Sequence, residues 1–174
     1  MKIHFIAAIV LTLLVPTPLR AETPEEWIRL GTRIHGGFDA LIPIGIRIGL
    51  DAQARLKADP RGLVVTYYMG ETSPCPCIAD GVMIATQASP GQGTFQISSE
   101  KAPAGVYAGV FIRNRKTGEG FRYTISDDWG PKIMEWNQSL DPAGRYEAAM
   151  KAEGLFDVVA SQYGHPARTS PHIR

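Results

Sequence analysis

The stretch 43–56, PIGIRIGLDAQARL, constrains the fold more than any other. Pro43 can open a helix that runs to about Lys57. Gly45, Gly49, Ala52 and Leu56 then recur at near-helical spacing. Glycine inside a helix costs about 0.5–1 kcal/mol relative to alanine. Two of them on one face permit close backbone packing against another element. The neighbouring patterns supply elements of both kinds. Thr23-Pro24-Glu25-Glu26 is a capping box with proline at the first helical position, and Trp27, Leu30 and Ile34 follow on one face. Gly36-Gly37 ends that helix and leaves His35 at its C-terminus. Asp59-Pro60-Arg61-Gly62 is a turn, and residues 63–68 read as a buried strand, β-branched and aromatic.

Residues 78–86 are long enough for two helical turns, and Ser89-Pro90-Gly91-Gln92-Gly93 is a loop. Strands are expected over 94–98, 106–113 and 120–125, the last two joined by the hairpin signal of residues 114–118. Helices are expected over 128–140, with Asp128 as the N-cap, and over 142–153. Asp127 and Asp128 are read as structural, since adjacent acids before a helix usually cap it. Helices lead, strands dominate the middle and helices close. The fold class is α+β, a single domain with a mixed or antiparallel central sheet flanked by helices.

The N-terminus bears on compartment. Lys2, an apolar run from Phe5 to Val15, the breakers Pro16 and Pro18, and Leu19-Arg20-Ala21 follow the order of a secretory signal peptide. The run is too short to span a membrane, which takes about 20 apolar residues. The expected division is a signal peptide over 1–21, a domain over 22–163 beginning at Glu22, and a loose polar tail over 164–174. Removing Lys2 and Arg20 from 18 basic residues leaves 16 against 17 acidic. That balance provides no basic field for nucleic acid and no polybasic membrane patch. The chain reads as exported, periplasmic or secreted, without a membrane span once the leader is cut. A homodimer is left open.

The only two cysteines, Cys75 and Cys77, sit one residue apart in PCPC. An oxidising compartment favours disulfides. A bridge across Cys-Pro-Cys, however, closes a very small, proline-stiffened ring, and disulfide geometry argues against a structural bond there. A metal or a reactive thiolate is the favoured use, because Cys77 directly precedes an expected helix whose free N–H groups and dipole stabilise an anion. A structural zinc site takes four protein ligands and a catalytic one three with an open position. The histidines after the leader are His35, His165 and His172, the last two in the tail. The available ligands are therefore His35 with one or both thiols, and Asp39 or Asp80 beside them. His35 equally suits a helix C-terminus as a complement to the dipole.

Residues 77–95, CIADGVMIATQASPGQGTF, resemble a signature of the FmdE-like family, named for formylmethanofuran dehydrogenase: a cysteine, two residues, an aspartate with a small residue after it, an apolar stretch, a threonine, and a loop with glycines two apart. Cys77, Asp80, Gly81, Thr86, Gly91 and Gly93 fall in register. The family's other signature begins His-Gly-His and ends in glycines four apart. IHGGFDALIPIGIRIG is similar to it at His35, Gly36, Gly45 and Gly49. The resemblance implies an α+β domain with a histidine-and-cysteine site for zinc or another transition metal. The chain departs from the pattern where the second histidine is Gly37, the cysteine after it is Asp39, and a later cysteine is Ala88. Cys75 is an added thiol beside Cys77.

These residues make a set of expectations. His35, Cys75 and Cys77 are the metal ligands. Cys77 and Asp80 are the catalytic candidates. Asp39, Thr86, Ser89, Gly91 and Gly93 shape the pocket for a small-molecule ligand. Cys77 and His35 should meet in space across 42 positions (77 − 35). The competing functions are an open metal site acting on a small substrate, a carrier or sensor of a soft metal or cofactor using Met69 and Met83 as well, and a redox thiol protein cycling through Cys75 and Cys77.

Overall fold

A computed structural model of the chain describes residues 22–161. The expected leader, 1–21, and tail, 164–174, lie outside the described residues. Helix α1 spans Pro24–His35. The Thr23 hydroxyl accepts from the Glu26 amide, and the Glu26 carboxylate accepts from the Thr23 amide, which closes the anticipated capping box. Gly36 ends the helix with φ of 89°, a left-handed conformation that suits glycine, and returns its N–H to the Thr32 carbonyl.

Helix α2, Leu41–Leu56, starts two residues before Pro43. Its first turn is held from outside. Asp39 Oδ1 accepts from the Leu41 and Ile42 amides at 2.8 and 3.2 Å, which satisfies two donors that a helix start leaves free. Ile42, Ile44, Ile46 and Ile48 are all fully buried, because neighbouring elements cover the helix on several sides. Strand β1, Leu63–Met69, leads through the cysteine loop into α3, Cys77–Thr86.

The glycine stripe on α2 finds its partner in α3. A methyl group added at Gly45 would lie 2.1 Å from the Ile78 carbonyl oxygen, and one at Gly81 would lie 2.1 Å from the Ile42 carbonyl oxygen. Each distance is far inside van der Waals contact, so the two backbones touch where both residues lack a side chain. This contact sets the first turn of α3 beside the first turn of α2.

The remaining elements are β2 (Phe95–Ile97), β3 (Val106–Asn114), β4 (Gly120–Ser126), α4 (Gly130–Ser139), α5 (Pro142–Lys151) and β5 (Asp157–Ala160). They complete one five-stranded sheet in the order β2-β1-β3-β4-β5. β1 and β2 pair in parallel across the α3 crossover, and every other pair is antiparallel. The sheet is thus mixed and the class α+β, as expected. Alternate residues such as Val65, Tyr67, Val110, Ile112, Tyr123 and Ile125 share one core with the helices, while Tyr68 and Phe111 pack on the opposite face. No helix among the described residues is long and apolar enough to cross a membrane.

Two local expectations are corrected. Asp128 does not cap the helix after β4. Ser126 accepts from the Asp128 amide at 3.2 Å and caps a single 3-10 turn, and the α-helix starts later, at Gly130. Strand β5 was not anticipated, because it has four residues and is largely exposed, without a burial pattern to mark it.

Candidate metal centre

Three chain segments deliver the site. The C-terminus of α1 carries His35, the connector before α2 carries Asp39, and the first turn of α3 carries Cys77 and Asp80. One nitrogen of His35, one carboxylate oxygen of Asp39 and the Cys77 sulfur all lie within 4.8 Å of one another. The expectation that His35 and Cys77 meet is met in the geometry. The α2–α3 glycine contact is the physical cause, since it holds the Cys77 turn against the segment that follows His35.

The His35 ring is gripped from both sides. Nδ1 lies 2.8 Å from Asp80 Oδ2, and Nε2 lies 3.2 Å from Asp39 Oδ2. An ionised carboxylate only accepts, so in the tautomer with its proton on Nδ1 the ring donates to Asp80 and turns Nε2 to Asp39. This is the arrangement in which a carboxylate orients a ligating imidazole. Asp39 is itself fixed, with Oδ1 on the α2 amides and Oδ2 free to turn to His35. Its flanks are anchored too. The Ala40 amide donates to Asn137 Oδ1 at 2.6 Å, and Arg145 Nη1 donates to the Phe38 carbonyl at 2.9 Å. Asn137 on α4 and Arg145 on α5 are positioning residues that the sequence did not reveal, because they act on backbone atoms about a hundred positions away.

The donor set fits a transition metal. Atoms sharing a tetrahedral ion on bonds of about 2.0–2.3 Å stand about 3.3–3.8 Å apart. The three donors lie within 4.8 Å of one another, and an ion would have to draw them to that spacing. Nitrogen, carboxylate oxygen and, once Cys77 is a thiolate, sulfur make a donor set of the kind a transition metal takes. His35 and Asp39 are partly exposed and Cys77 is buried.

The cysteines differ from expectation. Cys75 and Cys77 are joined in a disulfide, and neither is free. An extended i, i+2 pair would stand about 6.6 Å apart with both side chains on one face. Pro76 instead turns (φ −79°, ψ 26°) and brings the Cα atoms to 5.3 Å, within the normal range for a bridge. Pro76 is also the N-cap of α3, which makes Cys77 its first helical residue. Cys75 lies outside the group formed by His35, Asp39 and Cys77.

The other expected pocket residues are not brought to this centre. Thr86 is at the far end of α3, about 13.5 Å along the helix from Cys77. It is fully buried, and its hydroxyl donates to the Val82 carbonyl at 2.7 Å. Ser89 lines a groove between α1 and α3 with Leu30, Ile34 and Met83. Gly93 adopts φ of 64°, and a methyl at Gly91 would meet nothing within 4 Å. Closer to the cysteines, a cleft of about 440 Å³ is lined by Thr72, Pro74, Tyr107, Asp127 and Met134. Burial pushes the Tyr107 phenol up, and the nearby Asp39 and Asp127 carboxylates push it the same way. Ser73 Oγ donates to the Cys75 carbonyl at 3.0 Å, which shapes the loop.

No curated protein matches the chain closely enough to count as a relative. The family model FmdE, described as molybdenum formylmethanofuran dehydrogenase operon, matches residues 34–163, a span that holds His35, Asp39, Cys77 and Asp80. The match covers well over half of the chain, and the chain belongs to the FmdE family.

Proposed function

We propose that this protein is an exported FmdE-type metal-binding protein with one open site, formed by His35, Asp39 and Cys77 and suited to zinc. The observation that carries the reading is the convergence of three donor atoms within 4.8 Å, two of them four residues apart and the third about 40 positions further along the chain. Asp80 holds the His35 ring in its ligating orientation. Cys77 supplies the soft ligand once it is a thiolate. A zinc ion with three protein ligands would provide a Lewis acid and an activated water at its open position. Asp80 is partly exposed, so it can also carry a proton to or from a small substrate. The cleft along Tyr107 and Asp127 offers room for the body of such a substrate beside the cysteine loop.

A carrier of copper(I) fits less well. Such an ion prefers thiolate and thioether ligands, while the group formed here includes a carboxylate. The redox thiol reading is favoured by one observation, the Cys75–Cys77 bridge, and an oxidising compartment would sustain it.

Elemental analysis and zinc titration of the reduced protein test the proposal. One equivalent of zinc should bind, and His35→Ala should weaken binding more than about 100-fold, since even an orienting neighbour contributes about 10–100-fold. A reduced, folded protein that holds no transition metal would overturn the reading.

A further inference from the structure

The disulfide and the metal centre share one atom, the Cys77 sulfur. A disulfide sulfur is neutral because it shares an electron pair with its partner sulfur, whereas the ligand a metal takes is the thiolate. With the bridge closed, the centre keeps only the His35 nitrogen and the Asp39 oxygen. Two ligands do not make a zinc site, which takes at least three from the protein.

We propose that Cys75 is a redox gate on the metal centre: bonded to Cys77 it withholds the sulfur, and reduction by a dithiol releases it for the ion. The inference rests on the metal-site reading above and adds its regulation. The direction of attack follows from the surroundings. Cys77 is 7% exposed and its sulfur lies within 4.8 Å of the Asp39 carboxylate, which repels an incoming thiolate. Cys75 is more exposed and stands outside the group. One thiolate of the dithiol therefore attacks the Cys75 sulfur. A bond forms between those two sulfurs, the Cys75–Cys77 bond breaks, and Cys77 leaves as a thiolate. The second thiol of the reductant, as its thiolate, attacks its own sulfur in the mixed disulfide and expels Cys75, which takes up a proton. Two electrons have passed to the chain, and the dithiol departs as its own disulfide. The Cys77 thiolate either takes the second proton or binds the ion in its place.

Linkage makes the gate reciprocal. If the closed bridge weakens metal binding, bound metal opposes closure of the bridge by the same factor. The ion occupies the sulfur that Cys75 would have to meet.

Zinc titration against a competing chromophoric chelator, with a thiol count on each sample, tests the gate in four preparations: wild type and Cys75→Ser, each with and without prior dithiol treatment. Oxidised wild type should show no free thiol and bind zinc more than about 100-fold more weakly than reduced wild type, the loss expected for a missing ligand. Cys75→Ser should bind like reduced wild type under both conditions, and Cys75→Ala serves if the serine variant does not fold. Zinc should also slow reoxidation of the reduced wild type. Equal zinc affinity of the oxidised and reduced wild type would overturn the gate, as would loss of binding in untreated Cys75→Ser with its one thiol intact. Failure of reduced wild type and Cys75→Ser alike to bind zinc would instead defeat the metal-site reading itself.

Discussion

Asp80 and Asp39 hold opposite nitrogens of one imidazole, and their tasks separate on substitution. Asp39 is a ligand candidate and also anchors the start of α2. Asp39→Asn keeps an oxygen for the α2 amides but loses the charge, so it should weaken zinc binding while leaving most of the stability in place. Asp80→Asn should cost about 10–100-fold in zinc affinity, the usual loss when a partner orienting a ligating histidine is removed, and cost little in thermal stability because the side chain is partly exposed. Chelator competition and thermal melts of the two variants check both statements. A drop in Tm with unchanged affinity for Asp80→Asn would assign it a structural role instead. His35, Cys77 and Asp80 were legible in the sequence because each stands at a helix end or within a spaced signature. The bridge was not, because it depends on the turn at Pro76, which spacing alone does not reveal.

At the scale of elements, the site depends on how α2 meets α3. Gly45→Ala would force a methyl into the Ile78 carbonyl, and backbone on both sides leaves no flexible side chain to yield. A loss of at least about 1–3 kcal/mol is expected, as for overpacking in a core, with a fall in Tm of roughly 2–4 °C per kcal/mol and a parallel loss of zinc, since the Cys77 turn shifts with α3. Gly91→Ala is the contrasting case. It meets open space at an ordinary φ, so stability should change by less than about 0.5 kcal/mol and zinc content should stay at one equivalent. A Gly91→Ala variant that lost its metal would return that loop to the site. The glycine stripe announced a helix contact from spacing alone. Spacing could not reveal the clamp from α4 and α5, because Asn137 and Arg145 reach Ala40 and Phe38 across 97 and 107 positions. Asn137→Ala should loosen the connector and lower zinc affinity without removing a ligand, and affinity equal to wild type would contradict that positioning role.

For the whole molecule, α+β architecture followed from the order of helical and strand patterns, and the short edge strand β5 escaped it. Compartment belongs to this scale as well. The charged, apolar and small-residue order of residues 1–21 motivates the proposal of export, and mass spectrometry of the periplasmic or secreted fraction should find a chain beginning at Glu22. Intact Met1 on a protein recovered from the cytoplasm would contradict export and remove the oxidising surroundings that the gate uses.

The central claim is that His35, Asp39 and Cys77 share one ion, and X-ray absorption at the zinc edge of the reduced, zinc-loaded protein tests it most directly. The account predicts a shell with one sulfur at about 2.3 Å and nitrogen and oxygen ligands at about 2.0–2.2 Å, with the sulfur missing in Cys77→Ser and retained in Cys75→Ser. A shell without sulfur in the wild type, or one that keeps its sulfur in Cys77→Ser, would contradict it.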